Sequence, residues 1–264
     1  MASLELFDLF LLFLGGLLAG IINTLAGNGS AITLSLLFFF GLSAHAANAT
    51  NRVGVFLQTI VAVLSLRKNE QTKKLFWEGA WFLIPSFIGS VLGAVVAIDI
   101  DEHILTITIG VLMLLILASM FFSPKRWAAA TSDKKKKTPL NFVLFFALGF
   151  YAGFVQMGMG LIFLSIMILV AQYSLKDANI IKQFLVLALV APAFFVFAFS
   201  GQIDWVLGLA IAPGQMLGAF IASRYLLQND AAQVWIRYLL MVILIIAAVK
   251  LLGIWDWAVQ VFVA

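Results

Sequence analysis

The sequence predicts an all-α, polytopic transmembrane helix bundle built from two homologous and inverted repeats, with 8–10 membrane segments that include two short broken helices. Three observations lead there. Hydrophobic residues make up 64% of the 264 and charged residues 11%, with a mean hydropathy of +1.11, whereas a soluble domain is about half apolar and about a quarter charged. The apolar residues fall in long runs separated by short polar breaks. A glycine-rich break inside the first half recurs in the second.

The runs cover 6–24, 31–41, 46–66, 75–98, 103–122, 140–157, 160–172, 179–200, 205–223 and 233–252. A span of the hydrocarbon core takes roughly 20 helical residues. Most runs reach that length. Those at 31–41 and 160–172 do not, and each follows a glycine-rich break directly. About 12 residues rise only about 18 Å, so these two read as half-helices that meet a turn within the membrane. The start, MASLELFDLF, has no basic residue before its apolar run and reads as the first helix rather than a cleaved leader.

The long polar stretch SPKRWAAATSDKKKKTP divides the chain into an N-terminal repeat, 1–122, a basic cytoplasmic linker, 123–139, and a C-terminal repeat, 140–264. AGIINTLAGNG (19–29) in the first matches AGFVQMGMG (152–160) in the second. Ala47-Asn48 matches Ala178-Asn179, and GSVLGA (89–94) matches GQMLGA (214–219). Duplication of this kind is common in transporters. With ten crossings and the linker inside, all of the 16 Lys and Arg residues except Arg52 and Lys250 fall on the cytoplasmic side, and the acidic loop 99–103 falls outside. Five crossings per half make the repeats inverted and put both termini outside. With only eight crossings, Lys176, Lys182, Arg224 and Arg237 change to the disfavoured side.

The chemistry concentrates at the breaks. Irregular backbone survives in a membrane only where protein buries it or where it lines a wet cavity. Gly27 and Gly29 allow unusual dihedrals, and Ser30 is suited to cap the following helix. A helix starting there points free N–H groups and a positive dipole end at an anion. Gly158 and Gly160 repeat the pattern before the second short run. Asn23, Thr24 and Asn28 add donors in one half and Gln156 in the other. The competing reading is close helix packing by small residues. It is preferred for Gly89, Gly93, Gly214 and Gly218, but it does not account for the neighbouring Asn, Thr and Gln.

Asn48, Asn51 and Arg52 share a helix face at i, i+3, i+4, and Asn179, Lys182 and Gln183 hold the matching places. A membrane Arg tends to face a cavity or an anion, and its planar fork fits paired oxygens. Arg52→Ala is therefore expected to abolish transport and leave the fold intact. Gln58 and Gln215 read equally as path lining or interhelical ties. His45 reads as a loop histidine. Trp77, Trp81, Trp127, Trp205, Trp255 and Trp257 read as an interfacial belt.

AGIINTLAGNG, ANATNR (47–52), the repeated Gly-x-x-Leu-Gly-Ala and the duplicated layout resemble the TauE/SafE family of membrane permeases over nearly the whole chain. Members often have a run of glycines where this chain has Gly27-Asn28-Gly29-Ser30. The resemblance implies a secondary transporter for a small sulfur-containing anion such as sulfite, sulfoacetate or another sulfonate, in the cytoplasmic (inner) membrane. Alternating access between two broken repeats is the expected mechanism. An anion channel, or a carrier for small carboxylates, is the alternative.

No carboxylate falls mid-span, which speaks against cation transport and against an intramembrane proton relay. With no cysteine, no metal-ligand set and no nucleophile–base pair at helical spacing, the chain is not expected to be an enzyme, and no metal or cofactor is expected. The expected partners are the anion and the bilayer, not nucleic acid. A homodimer is compatible with the sequence.

Overall fold

The computed structural model describes residues 5–66, 70–121, 139–173 and 175–226. Among them all regular structure is helical. The helices are α1 (Leu6–Ala26), α2 (Ser30–Phe39), α3 (Ala44–Leu66), α4 (Glu70–Gly79), α5 (Leu83–Asp99), α6 (Glu102–Phe121), α7 (Pro139–Phe154), α8 (Met159–Ser165), α9 (Leu175–Ser200) and α10 (Trp205–Ile221). The apolar run at 233–252, most of the basic linker, Trp127, Trp255, Trp257, Arg237 and Lys250 lie outside the described residues.

Among the described residues, five helical stretches have the length and composition to cross a membrane: Leu6–Leu25, Ala44–Leu66, Lys74–Asp99, Asp177–Ser200 and Trp205–Tyr225. The fourth run is not one smooth helix. A 3-10 turn, Ala80–Phe82, joins α4 to α5 just before Pro85, whose missing N–H and bulky ring disturb the preceding turn. The two short runs do form short helices. α2 has 10 residues, roughly 15 Å, or about half the hydrocarbon thickness. α8 continues through a π-helical turn, Ile166–Val170, and stops.

Glycine decides how the long helices pair. α1 packs against α10, and α5 against α7. A Cβ on Gly16 or Gly20 of α1 would lie 2.4 or 2.2 Å from the Ile211 or Gln215 carbonyl oxygen of α10. A Cβ on Gly214 or Gly218 would strike the Phe13 or Leu17 carbonyl in return, at 2.1 or 2.2 Å. The other pair repeats this: Gly149 and Gly153 of α7 face the Ser86 and Ser90 carbonyls, while Gly89 and Gly93 of α5 face those of Phe146 and Phe150, all at 1.9–2.2 Å. Small residues four apart let the two backbones touch, which is how helices gain van der Waals contact where lipid offers no hydrophobic drive. The packing role expected for Gly89, Gly93, Gly214 and Gly218 is what these contacts show.

Each pair joins a helix from before the linker to one from after it. Around α1 and α10 gather α2 and α3, and around α5 and α7 gather α8 and α9. α3 meets α9 between these groups, where Phe56 stacks on Phe194 at 4.5 Å. Exposed Leu, Ile, Val and Phe cover the outside, as suits a lipid-facing surface. Trp77, Trp81 and Trp205 are exposed.

Candidate anion site

The site is built around two helix ends. α1 stops at Gly27, whose φ of 76° lets its N–H return to the Asn23 and Ile22 carbonyls at 2.9 and 3.1 Å, a left-handed cap suited to glycine. α8 starts after Gly158, also left-handed with φ 73°. In the link from α7 to α8, Gln156 takes a positive φ of 66°, uncommon for a residue with a side chain.

The two breaks touch. The Gly160 N–H donates to the Gly27 carbonyl at 3.3 Å. A Cβ on Gly27 would lie 2.2 Å from the Gly160 Cα. Gly29 is pinned in the same region, with the Ala19 carbonyl oxygen 2.0 Å from where its Cβ would be. Polar, irregular backbone from both halves of the sequence is thus buried against itself, as the membrane requires.

Ser30 does not cap α2. Gly29 is the cap residue, Ser30 is already helical, and its buried Oγ has no partner. The amides of Ala31 and Ile32 bond to the Asn28 and Gly29 carbonyls at 3.1 and 3.0 Å. The tight turn therefore uses N–H groups that an open helix start would leave free. The Asn28 Oδ1 is likewise buried without a partner.

The polar side chains form two centres. The first surrounds Arg52, which is fully buried. Its Nη1 donates to the Ala152 carbonyl (2.6 Å) and Gln156 Oε1 (3.1 Å), and its Nη2 to the Gly153 carbonyl (2.8 Å) and Asn48 Oδ1 (3.4 Å). Asn48 Nδ2 donates to the Phe154 carbonyl at 2.8 Å. These are the last carbonyls of α7, which lack helical partners and carry the negative end of the dipole. The Phe197 ring lies 5.0 Å from the guanidinium carbon, within range of a cation–π contact. Asn51 Oδ1 accepts from the Thr33 hydroxyl of α2. Arg52 Nε and Asn51 Nδ2 have no partner.

The second centre mirrors this from the other half of the sequence. Lys182 of α9, equally buried, donates from Nζ to the Thr24 carbonyl (2.9 Å) and the Leu25 carbonyl (3.4 Å) at the end of α1. Gln183 Nε2 also donates to the Thr24 carbonyl, at 2.9 Å. Each cation thus clamps the broken helix encoded on the other side of the linker. Among the described residues neither is bonded to a carboxylate.

A small cleft opens beside Lys182. Asn23, Thr24 and Gly27 of the first break, Gln58, Thr59 and Ala62 of α3, Met159 and Gly160 of the second break, and Lys182, Gln183 and Val186 of α9 line it. Its volume is about 10 Å³, close to that of one water-sized sphere. Of the predicted residues, Asn23, Thr24, Gly27, Gly160, Lys182 and Gln183 meet here. Asn48, Asn51, Arg52 and Gln156 meet at the first centre, and Asn28, Gly29, Ser30 and Gly158 shape the breaks. Asn179 lines neither; it is half-buried, with its Oδ1 unpartnered.

The sequence does not single out Thr59, and it allows Gln58 two roles; both line the cleft. The available signal was the stripe Asn51, Gln58, Thr59, Ala62 along one face of α3. Gln215 is buried and packs on Gly54 of α3: its Oε1 has no hydrogen-bond partner and lies 1.8 Å from where a Cβ on Gly54 would be. His45 is not in a loop but in the first turn of α3, with Nε2 2.9 Å from the Ile100 carbonyl and 3.4 Å from Glu102.

A buried cation, Lys182, at a polar cleft beside a helix crossing suits the passage of a small anion, and comparison with known proteins agrees with a transporter. The sequence profile described as sulfite exporter TauE/SafE matches residues 12–251. The chain belongs to that family. A probable membrane transporter protein, ORF9, of Sinorhizobium sp is 29% identical over 96% of this chain and 95% of its own length. One from Haemophilus influenzae is 29% identical over 82% of this chain and 84% of its own. The probable membrane transporter protein YfcA of Escherichia coli is 24% identical over 91% and 88%. No solved structure matches with significance. The protein is a multi-pass membrane transporter of the TauE/SafE family.

Proposed function

We infer that this TauE/SafE protein is a secondary carrier of a small sulfur-containing anion (sulfite, sulfoacetate or another sulfonate), working in the cytoplasmic membrane by alternating access between two inverted repeats. The observation that carries the reading is Lys182, a buried cation at the wall of a polar cleft with no carboxylate partner among the described residues. Two of its three N–H donors reach carbonyls, leaving one for an anion oxygen. An unpaired buried charge is costly, and a bound anion offsets that cost.

The cleft lies between two helix groups. α1 and α3 form one wall, α8 and α9 the other. The glycine-packed pairs α1–α10 and α5–α7 are the stiff parts. Arg52 bridges the groups from α3 to the end of α7, and Lys182 bridges them from α9 to the end of α1. Rocking of one group on the other loosens one bridge while tightening the other, which exposes the cleft to the two sides in turn. At its present size the cleft admits no sulfonate, so entry requires the walls to part. That favours a carrier over an open channel.

Counterflow in proteoliposomes tests this. Vesicles preloaded with unlabelled sulfite are expected to accumulate radiolabelled sulfite transiently. Uptake that only equilibrates and never overshoots would indicate a channel instead. Preference for acetate over sulfite in the same assay would favour the carboxylate alternative.

A further inference from the structure

The second break has a side chain where the first has a glycine. The residue that closes the end of α1 is Gly27, whose N–H reaches back five and four residues, to the Ile22 and Asn23 carbonyls. At the end of α7 the residue in that place is Gln156. Its N–H reaches back five residues to the Tyr151 carbonyl at 3.2 Å, and its φ is 66° against 76° for Gly27. Glycine takes this conformation freely and glutamine does not. The carbonyl four residues back, that of Ala152, goes to Arg52 Nη1 instead. Arg52 and Gln156 together thus do at α7 what Gly27 does alone at α1.

An unfavourable backbone held in place by its surroundings points to a use for the side chain. Gln156 is 2% exposed, and its Oε1 accepts from Arg52 Nη1 at 3.1 Å. It is not part of the cleft lining. The chain beyond it is bonded step by step. The Met157 N–H donates to the Val155 carbonyl, the Tyr151 hydroxyl donates to the Met157 carbonyl, and the Met159 N–H donates to the Gln156 carbonyl. Met159 and Gly160 then form part of the cleft wall, with the Gly160 N–H on the Gly27 carbonyl. A short, bonded link therefore carries any shift at the Arg52 contact to the wall beside Lys182.

We propose that Gln156 is a positioning residue, held left-handed so that its amide ties the Arg52 clamp to the Met159–Gly160 wall of the Lys182 cleft, a role that rests on the transport reading above. It touches the cation and the link rather than the anion.

Sulfite transport kinetics of the full-length protein in proteoliposomes, read together with melting in detergent, test this. Gln156→Gly removes the amide and keeps the left-handed turn, as Gly27 does in α1. Its KM for sulfite is expected to rise about tenfold, the effect of one lost buried hydrogen bond, with the maximal rate little changed. Gln156→Ala is expected to show the same rise but to melt below Gln156→Gly, because alanine is strained at positive φ. Gln156→Asn keeps a shorter amide and tolerates the left-handed region. It is expected to recover part of the KM, and it serves if the glycine variant fails to fold. A wild-type KM in folded Gln156→Gly would overturn the proposal. So would Gln156→Ala melting above Gln156→Gly, or a KM no lower in Gln156→Asn than in Gln156→Ala. Absence of sulfite flux in the wild type would instead remove the transport reading.

Discussion

At the residue scale, Arg52 is held by partners that its sequence context did not suggest, the last carbonyls of α7. The stripe Asn48, Asn51, Arg52 is legible, and so is a matching stripe in the second half. Their partners are not, because Arg52 bonds to carbonyls about 100 residues away and Lys182 to carbonyls about 158 residues away, beyond any local pattern. The structure changes what Arg52→Ala should do. The truncation strips the last carbonyls of α7 of their donor, and the protein is expected to lose on the order of 2–3 kcal/mol. A fall in the melting temperature of the detergent-purified variant checks this; an unchanged value would show that the clamp on α7 is dispensable. Arg52→Ala therefore cannot separate anion binding from folding by itself. Lys182 separates them better, since Gln183 still holds the Thr24 carbonyl when the ammonium is gone.

At the element scale, glycines divide by what a side chain would strike. Gly27 and Gly201 share a left-handed φ, 76° and 75°. Around Gly201 nothing lies within 4 Å of an added Cβ, whereas at Gly27 the backbone of Gly160 is in the way. Gly201→Ala is expected to cost about 1 kcal/mol from the backbone alone. Gly27→Ala adds a backbone collision at the crossing and is expected to abolish sulfite flux and lower the yield of folded protein. Equal thermal stability and flux in the two variants would contradict the crossing. Gly93→Leu and Gly218→Leu, one in each glycine-packed pair, are expected to prise α5 from α7 and α10 from α1, and either one surviving with wild-type melting would argue against close backbone packing there. The break segments were readable because glycine and small polar residues interrupt apolar runs. Their mutual contact was not, because a glycine that packs and a glycine that bends look alike in one sequence. The Ser30 cap failed for a related reason: the turn at Asn28-Gly29 supplies carbonyls to the helix amides before a side chain is needed.

At the scale of the whole molecule, the helix-bundle class and the boundaries of most spans followed from hydropathy and length, because a bilayer leaves a chain little besides helices. The pairing across the linker did not follow, since glycine at four-residue spacing marks a contact face without naming its partner. The same duplication that places Arg52 and Lys182 in matching positions motivates the inverted arrangement. That arrangement puts the N-terminus and the linker on opposite sides of the membrane. The natural sequence has no cysteine, so single cysteines at Ser3 and at Ser132 are expected to react with an impermeant maleimide from opposite faces of intact cells and inverted vesicles. Labelling of both from one face would favour eight crossings and a parallel arrangement.

In the proposed carrier, the anion crosses by way of the buried Lys182 cleft. Counterflow of radiolabelled sulfite with Lys182→Met and Lys182→Arg proteins of verified folding tests it most directly. Overshoot is expected in the wild type, none in Lys182→Met and a reduced but present overshoot in Lys182→Arg. Wild-type counterflow in a folded Lys182→Met protein would contradict it.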